Sequence, residues 1–257
     1  MIIIISPAKS LDFKTKSPIE QFSQAEFLSE SKKLVTVLKE FSPLNLSKLM
    51  SISPDLAQLN YQRFQKWKMP FGIENAKQAI YSFSGDVYSG FNAYSLNDKS
   101  IAYCQSHLRI LSGLYGVLKP LDLIQAYRLE MGSKLSVGKH KNLYSFWKDK
   151  LTDNINHSIA ETNSKFLINL ASNEYAKSIQ LKNVKSEVIT PVFKDWKNGQ
   201  YKMISFYAKK ARGMMARYII QEQIKSKEDL KSFSKDGYVF NEELSKLKPF
   251  TFTRESQ

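Results

Sequence analysis

The sequence predicts a mixed α/β fold, and three observations carry that prediction. Short β-branched or apolar runs of strand length alternate with stretches of helical periodicity. Apolar residues make up 42% of the 257 positions and charged ones 24%, enough to bury a sizeable core and too apolar for a disordered chain. The eight prolines and ten glycines are scattered as punctuation, with no repeat, low-complexity tract or linker between them. The span 1–257 therefore reads as a single domain.

The run Ile2 to Ile5 is β-branched and stops at Ser6-Pro7, which marks a buried strand. Phe27, Leu28, Leu34, Val35 and Leu38 recur at helical spacing over about 25–40. Pro43 and Pro54 divide the next stretch into short helices. Phe83, Val87 and Tyr88 flank a strand or tight turn at Gly85-Asp86. Ile101, Cys104, Leu108 and Leu111 predict an amphipathic helix ending near Gly113. Phe166–Leu170, Val188–Phe193 and Lys202–Tyr207 read as strands, the last running into a helix from about Ala208 to Ile224.

Lys and Arg number 38 against 24 Asp and Glu, a formal net charge of +14. That balance suits a polyanion partner and says nothing about fold. The apolar run ending at Ile5 is too short for a signal-peptide core, and no stretch approaches the ~20 apolar residues of a membrane span. With a single cysteine, Cys104, an intrachain disulfide is excluded, and a soluble cytoplasmic protein without membrane contact is expected.

The segment from Ala208 to Ile220 is the most informative. At 100° per residue, Lys209, Lys210, Arg212 and Arg217 fall within roughly 160°, opposite Ala211, Met214, Met215 and Tyr218. A solvated face normally mixes signs, so an all-cation face points to an anion. The segment His107 to Asp122 reads as a helix, a turn at Gly113-Leu114-Tyr115-Gly116 and a second helix opened by Pro120. Such a hairpin offers backbone N–H groups to a phosphate, with Arg109 and Lys119 on either side. An ordinary turn between helices fits the same residues.

Lys9 lies just past the first strand, where open α/β sheets place their sites. Asp86, the Tyr127-Arg128-Leu129-Glu130 run and Asn173-Glu174-Tyr175 are further candidates, because an amine beside a carboxylate supports Schiff-base or proton-transfer chemistry. Ser6-Pro7-Ala8-Lys9 matches S-x-x-K but lacks the S-D-N and K-T-G companions of β-lactamases. No P-loop or G-x-G-x-x-G is present. Cys104 and His107 have half a zinc spacing, but only His140 and His157 could complete it; no metal and no cofactor are expected, and Cys104 belongs to the apolar stripe.

These segments also carry a resemblance. The blocks Ile5–Asp12, Gly85–Gly90, His107–Asp122, Tyr127–Gly132, Asn169–Tyr175 and Ile204–Gly213 resemble the signature blocks of the bacterial YaaA peroxide-stress proteins, in order and at matching separations from Met1 to about Phe240. The resemblance implies protection against hydrogen peroxide and an association with low free intracellular iron. It implies a mixed sheet with surrounding helices and a helix-hairpin-helix-like element beside a basic cleft. It also implies binding of duplex or distorted DNA without sequence preference. On this sequence the hairpin falls on 112–117 and the cleft on Lys9, Arg109, Arg128, Lys209, Lys210 and Arg212.

Iron chelation fits poorly with three histidines and one cysteine, and peroxide chemistry poorly with a thiol that has no resolving partner. The expected function is therefore sequence-nonspecific DNA binding in peroxide defence. The alternative is an enzyme of glycosylase or lyase type acting on damaged nucleic acid, with Lys9 and Asp86 or Glu130 as its reacting groups. A regulator of iron acting through an unknown protein partner is a third reading.

Overall fold

Residues 1–246 and 250–255 are described in a computed structural model. Five strands form the main sheet: β1 (Ile2–Ile5), β2 (Leu108–Ser112), β3 (Gly116–Leu118), β4 (Phe166–Leu170) and β5 (Glu187–Ile189). Their spatial order is β3–β2–β1–β4–β5. β1 runs parallel to β2 on one side and to β4 on the other, β5 is parallel to β4, and β3 returns antiparallel to β2. All four isoleucines of β1 are fully buried, as a central parallel strand covered on both faces requires.

Seven longer helices pack around this sheet: α1 (Leu28–Lys39), α2 (Pro43–Met50), α3 (Pro54–Lys66), α4 (Asp86–Phe91), α5 (Asp98–His107), α6 (Asp149–Glu161) and α7 (Ser205–Gln221). α1 buries Leu28, Leu34, Val35 and Leu38, the stripe that its periodicity predicts. α2 and α3 each start at a proline whose preceding serine caps the helix: Ser42 accepts from the Asn45 amide and Ser53 from that of Leu56. Burying Cys104 on α5 raises its thiol pKa, so the side chain behaves as a small apolar group.

A second sheet holds β6 (Val192–Lys197), β7 (Gln200–Lys202), β8 (Val239–Phe240) and β9 (Thr251–Arg254) in the order β7–β6–β9–β8. Asn198 and Gly199, both at positive φ, form the two-residue turn between β6 and β7. Arg254 clasps this sheet. It donates to Asp195 at 2.7 Å and to Asp236 at 2.8 Å, and its guanidinium lies 4.6 Å from the ring centres of both Tyr207 and Tyr238.

Three expectations are corrected here. The run Val188–Phe193 is split at Pro191 between two sheets, with β5 ending at Ile189 and β6 opening at Val192. The strand expected over Lys202–Tyr207 stops at Lys202, and the helix begins at Ser205. The helix expected to reach Gly113 ends at His107, and Leu108–Ser112 is a strand.

The helix-hairpin-helix expected at 112–117 is accordingly a β-hairpin. β2 and β3 flank Gly113-Leu114-Tyr115, and Ser112 pairs with Gly116 at φ 71°. The Ser112 hydroxyl accepts the amides of Leu114 and Tyr115 at 3.2 and 2.9 Å, so those donors face inward. A Cβ at Gly113 would meet the Leu129 carbonyl at 2.3 Å, and Leu114 and Tyr115 are fully buried. No helix opens at Pro120, where the chain makes a turn before Leu123–Ile124 pairs with Lys77–Gln78.

α4 and α7 cross with backbones almost in contact. A Cβ at Gly90 would stand 2.2 Å from the Lys210 carbonyl, and one at Gly213 would stand 1.9 Å from that of Val87. Only hydrogens fit at this crossing, which fixes α4 against the middle of α7.

Candidate functional site

Chain order makes β1 a topological switch point. β2 leaves it on one side and β4 on the other, and the crevice beyond the carboxyl ends of such strands is where open α/β sheets bind ligands. A cleft of about 530 Å³ opens there. Its floor is Ser6, directly after β1, and Ser172, two residues after β4. The Ser172 amide donates to the Ser6 hydroxyl at 2.8 Å, and the Tyr88 hydroxyl donates to the Ser6 carbonyl at 3.1 Å.

Ten of the sequence-predicted residues line this cleft: Asp86, Tyr127, Leu129, Glu174, Tyr175, Lys9, Arg128, Glu130, Lys209 and Arg212. Lys9 comes from the loop after β1, Asp86 from the first residue of α4, Arg128 and Glu130 from an extended segment, and the last two from α7. One oxygen of Glu130 holds both Lys9 at 3.2 Å and Arg128 at 2.9 Å. Glu174 accepts the Gly132 amide at 2.8 Å. The Nε of Arg128 is buried with no hydrogen-bond partner among the described residues.

Tyr88, Tyr127 and Tyr175 complete the wall. Burial raises the pKa of each phenol, and neighbouring phenols add to the shift: Tyr127 and Tyr175 for Tyr88, Tyr127 for Tyr175, and Tyr115 for Tyr127. They therefore remain neutral hydrogen-bonding groups. Arg212 is half-buried, and desolvation draws its pKa down, the cost of holding a guanidinium away from water. The cleft thus combines two cations from α7 with a carboxylate, Glu130, shared by Lys9 and Arg128. Such a lining offers both anion-holding groups and an amine beside a carboxylate for moving a proton.

The remaining predicted residues lie elsewhere. Arg109 is 2% exposed, and it donates to Ser158 at 3.0 Å and to the carbonyls of Gln105 and Leu108, so it serves the core behind β2. Gly113, Leu114, Tyr115 and Gly116 are the buried hairpin. Lys119 is half-buried, its amide donating to Asp122 at 2.7 Å. Lys210 faces Asp236 of the clasp at 3.6 Å, and Arg217 donates to the Phe91 and Asn92 carbonyls. The four cations of α7 therefore divide into two pairs: Lys209 and Arg212 turn to the cleft, Lys210 and Arg217 to structural partners.

Sequence reasoning missed Ser6, Tyr88 and Ser172 as site residues. Ser6 and Ser172 follow apolar strand runs, the same signal that singled out Lys9. Among the described residues, no group of three or more His, Cys, Asp or Glu is placed to hold a metal ion, and no helix is long and apolar enough to cross a membrane.

Comparison with known proteins is consistent over the full length. The chain is 52% identical over 257 residues to a UPF0246 protein of Alteromonas mediterranea, spanning all of this chain and 99% of that one. It is 51% identical over the same length to a UPF0246 protein of Aliivibrio fischeri strain MJ11, again 99% covered, and 52% identical to one of Shewanella baltica, covered end to end. The model of the family described as peroxide stress protein YaaA matches residues 1–244, which include every residue of the switch-point cleft, and the chain belongs to that family.

Proposed function

We propose that this protein acts in peroxide defence by binding DNA without sequence preference, with the switch-point cleft receiving one nucleotide of a distorted or damaged duplex. The observation that carries the reading is the convergence of Lys9, Arg128, Lys209 and Arg212 from three chain segments on one cleft. Its volume of about 530 Å³ suits a single nucleotide rather than a duplex, so a base would enter by leaving its stack. The net charge of +14 supplies the long-range attraction for the phosphate backbone. The association with low free iron belongs to this proposal through the family resemblance, and a cytoplasmic setting through the single cysteine and the short N-terminal apolar run.

Fluorescence anisotropy with intact, bent, single-stranded and abasic-site DNA at several salt concentrations tests it. Neutralising about four phosphates gives a log K against log salt slope of about −4. Preference for abasic or distorted duplex is expected. No binding at low salt refutes the reading.

The contact between Lys9 and Glu130 at 3.2 Å favours a second reading, an enzyme acting on damaged nucleic acid. The Lys9 amine would add to the aldehyde carbon of an abasic sugar and lose water to form a Schiff base, with Glu130 or Asp86 relaying the proton. Borohydride reduction then leaves a covalent protein–DNA adduct in the parent protein and none in Lys9→Ala. Intact binding without any adduct refutes the lyase version. Release of free base from a damaged duplex is the separate test of a hydrolytic version.

A further inference from the structure

The chain has six arginines, and five are engaged. Arg63 reaches Asn60, Arg109 reaches Ser158 and two carbonyls, Arg128 pairs with Glu130, Arg217 caps the end of α4 and bonds Gln221, and Arg254 holds two aspartates. Arg212 alone makes no hydrogen bond and no ion pair among the described residues, although it is half-buried in the cleft wall. A partly desolvated cation without a counter-charge is unfavourable unless something outside the chain supplies one.

Its position is enforced by backbone packing. Arg212 precedes Gly213, whose Cα lies hard against the Val87 carbonyl, so α7 cannot rotate to carry the guanidinium into solvent or toward Asp236. Lys209, one turn earlier on the same helix, lines the cleft beside it and is exposed. The same cleft is lined by the Glu130 and Glu174 carboxylates and by Ser6 and Ser172. A groove built only to track a polyphosphate would not carry three carboxylates, counting Asp86, among its lining groups. A guanidinium fork suits a phosphate bidentately, whereas carboxylates and hydroxyls suit the donors of a sugar or base edge.

We propose that Arg212 is the phosphate anchor of a single-nucleotide site, binding the phosphate of one nucleotide while the sugar and base lie toward Glu130 and Glu174. This inference rests on the reading of the cleft as the DNA site, and it narrows the occupant to one phosphate-bearing nucleoside unit. Such a unit can come from an extruded position in a strand or from a free nucleoside monophosphate, and the site itself recognises the chemistry common to both.

Isothermal titration of the full chain with each deoxynucleoside 5′-monophosphate and its parent nucleoside tests the anchor. The monophosphate is expected to bind about tenfold or more tightly than the nucleoside, the scale of one charge-assisted fork. Arg212→Gln should bring the two to the same affinity. Arg212→Lys should retain part of the preference, and inorganic phosphate should compete with the monophosphate in the parent protein. Equal binding of monophosphate and nucleoside by the parent, or an undiminished preference in Arg212→Gln, overturns the inference. If Arg212→Gln does not fold, the parent ratio and the phosphate competition decide alone. The two proposals separate in the same experiment. Salt-dependent duplex binding without a monophosphate preference overturns the anchor and leaves DNA binding standing, whereas a monophosphate preference without DNA binding does the reverse.

Discussion

Replacing Gly213 by alanine places a methyl group 1.9 Å from the Val87 carbonyl oxygen and 2.8 Å from the Phe91 amide nitrogen. Both are backbone atoms, so no side-chain rotation relieves the contact. Reaching an ordinary separation of ~3.5 Å requires α4 and α7 to part by about 1.6 Å. Overpacking costs about 1–3 kcal/mol, a clash between backbone atoms this close lies at about the 3 kcal/mol end, and the better helix propensity of alanine offsets about 1 kcal/mol. A net loss of about 2 kcal/mol is expected, which corresponds to a fall in melting temperature of about 4–8 °C for a chain of this size. Urea unfolding followed by circular dichroism reads the first quantity and a thermal scan the second. Because the displaced turn also carries Lys209 and Arg212, phosphate affinity should fall in the same variant under conditions where it remains folded. A Gly213→Ala protein within about 0.5 kcal/mol of the parent, the range of an ordinary surface change, would refute the reasoning. It would mean that the crossing yields freely and does not hold the cleft wall.

Arg254→Ala should destabilise the second sheet by about 3–5 kcal/mol, since it strands the buried Asp195 carboxylate; a loss under about 1 kcal/mol by urea unfolding would contradict the clasp. Burial pushes the Asp122 carboxyl up to about 6, against hydrogen bonds from Ser23 and the Lys119 amide. Between pH ~4 and ~6 the folded protein therefore holds a proton that the unfolded chain has released, so this group makes stability fall as pH rises through that window. Comparing denaturation midpoints of the parent and Asp122→Asn across pH ~4–7 isolates the slope, and identical profiles would count against it. Cys104 should resist Ellman's reagent in the native protein and react in urea, while rapid native-state labelling would contradict its burial.

The parts of the fold that are legible in the sequence are those whose signals are local. Ile2–Ile5 is an uninterrupted apolar run and Phe166–Leu170 one broken only by Asn169, and α2 and α3 announce themselves by a serine followed by proline. Leu108–Ser112 reads falsely as helix because a strand buried on both faces has no period of two. Its Leu108 and Leu111 happen to continue the three-and-four spacing of α5. The Asn198-Gly199 pair does carry a local hairpin signal, one that moves the strand away from Lys202–Tyr207. At the site, Lys9 is reached by the strand-end rule and Arg212 by charge on α7. The helical wheel cannot divide the cations of α7, because that division depends on Asp236 and on the carbonyls ending α4, neither of which is local to the helix. Arg109 is drawn into the site by its charge, but its partner Ser158 lies 49 residues away on α6, a distance that local pattern cannot bridge.

The central position of β1 sets the timing of folding. Ile3 pairs with Leu108 and with Ile168, so the most apolar strand of the sheet has no neighbour until more than a hundred further residues have been made. At bacterial elongation rates the second partner emerges on the order of 10–30 s after the first strand. Until Leu108–Ser112 is made both edges of the four isoleucines are unpaired, and one edge stays unpaired until Phe166–Leu170 follows. Native contacts of such long sequence separation also slow refolding of the finished chain. Recovery from denaturant should therefore be slow and concentration-sensitive, and a cell meeting oxidative stress would gain active protein sooner from copies already folded than from new synthesis.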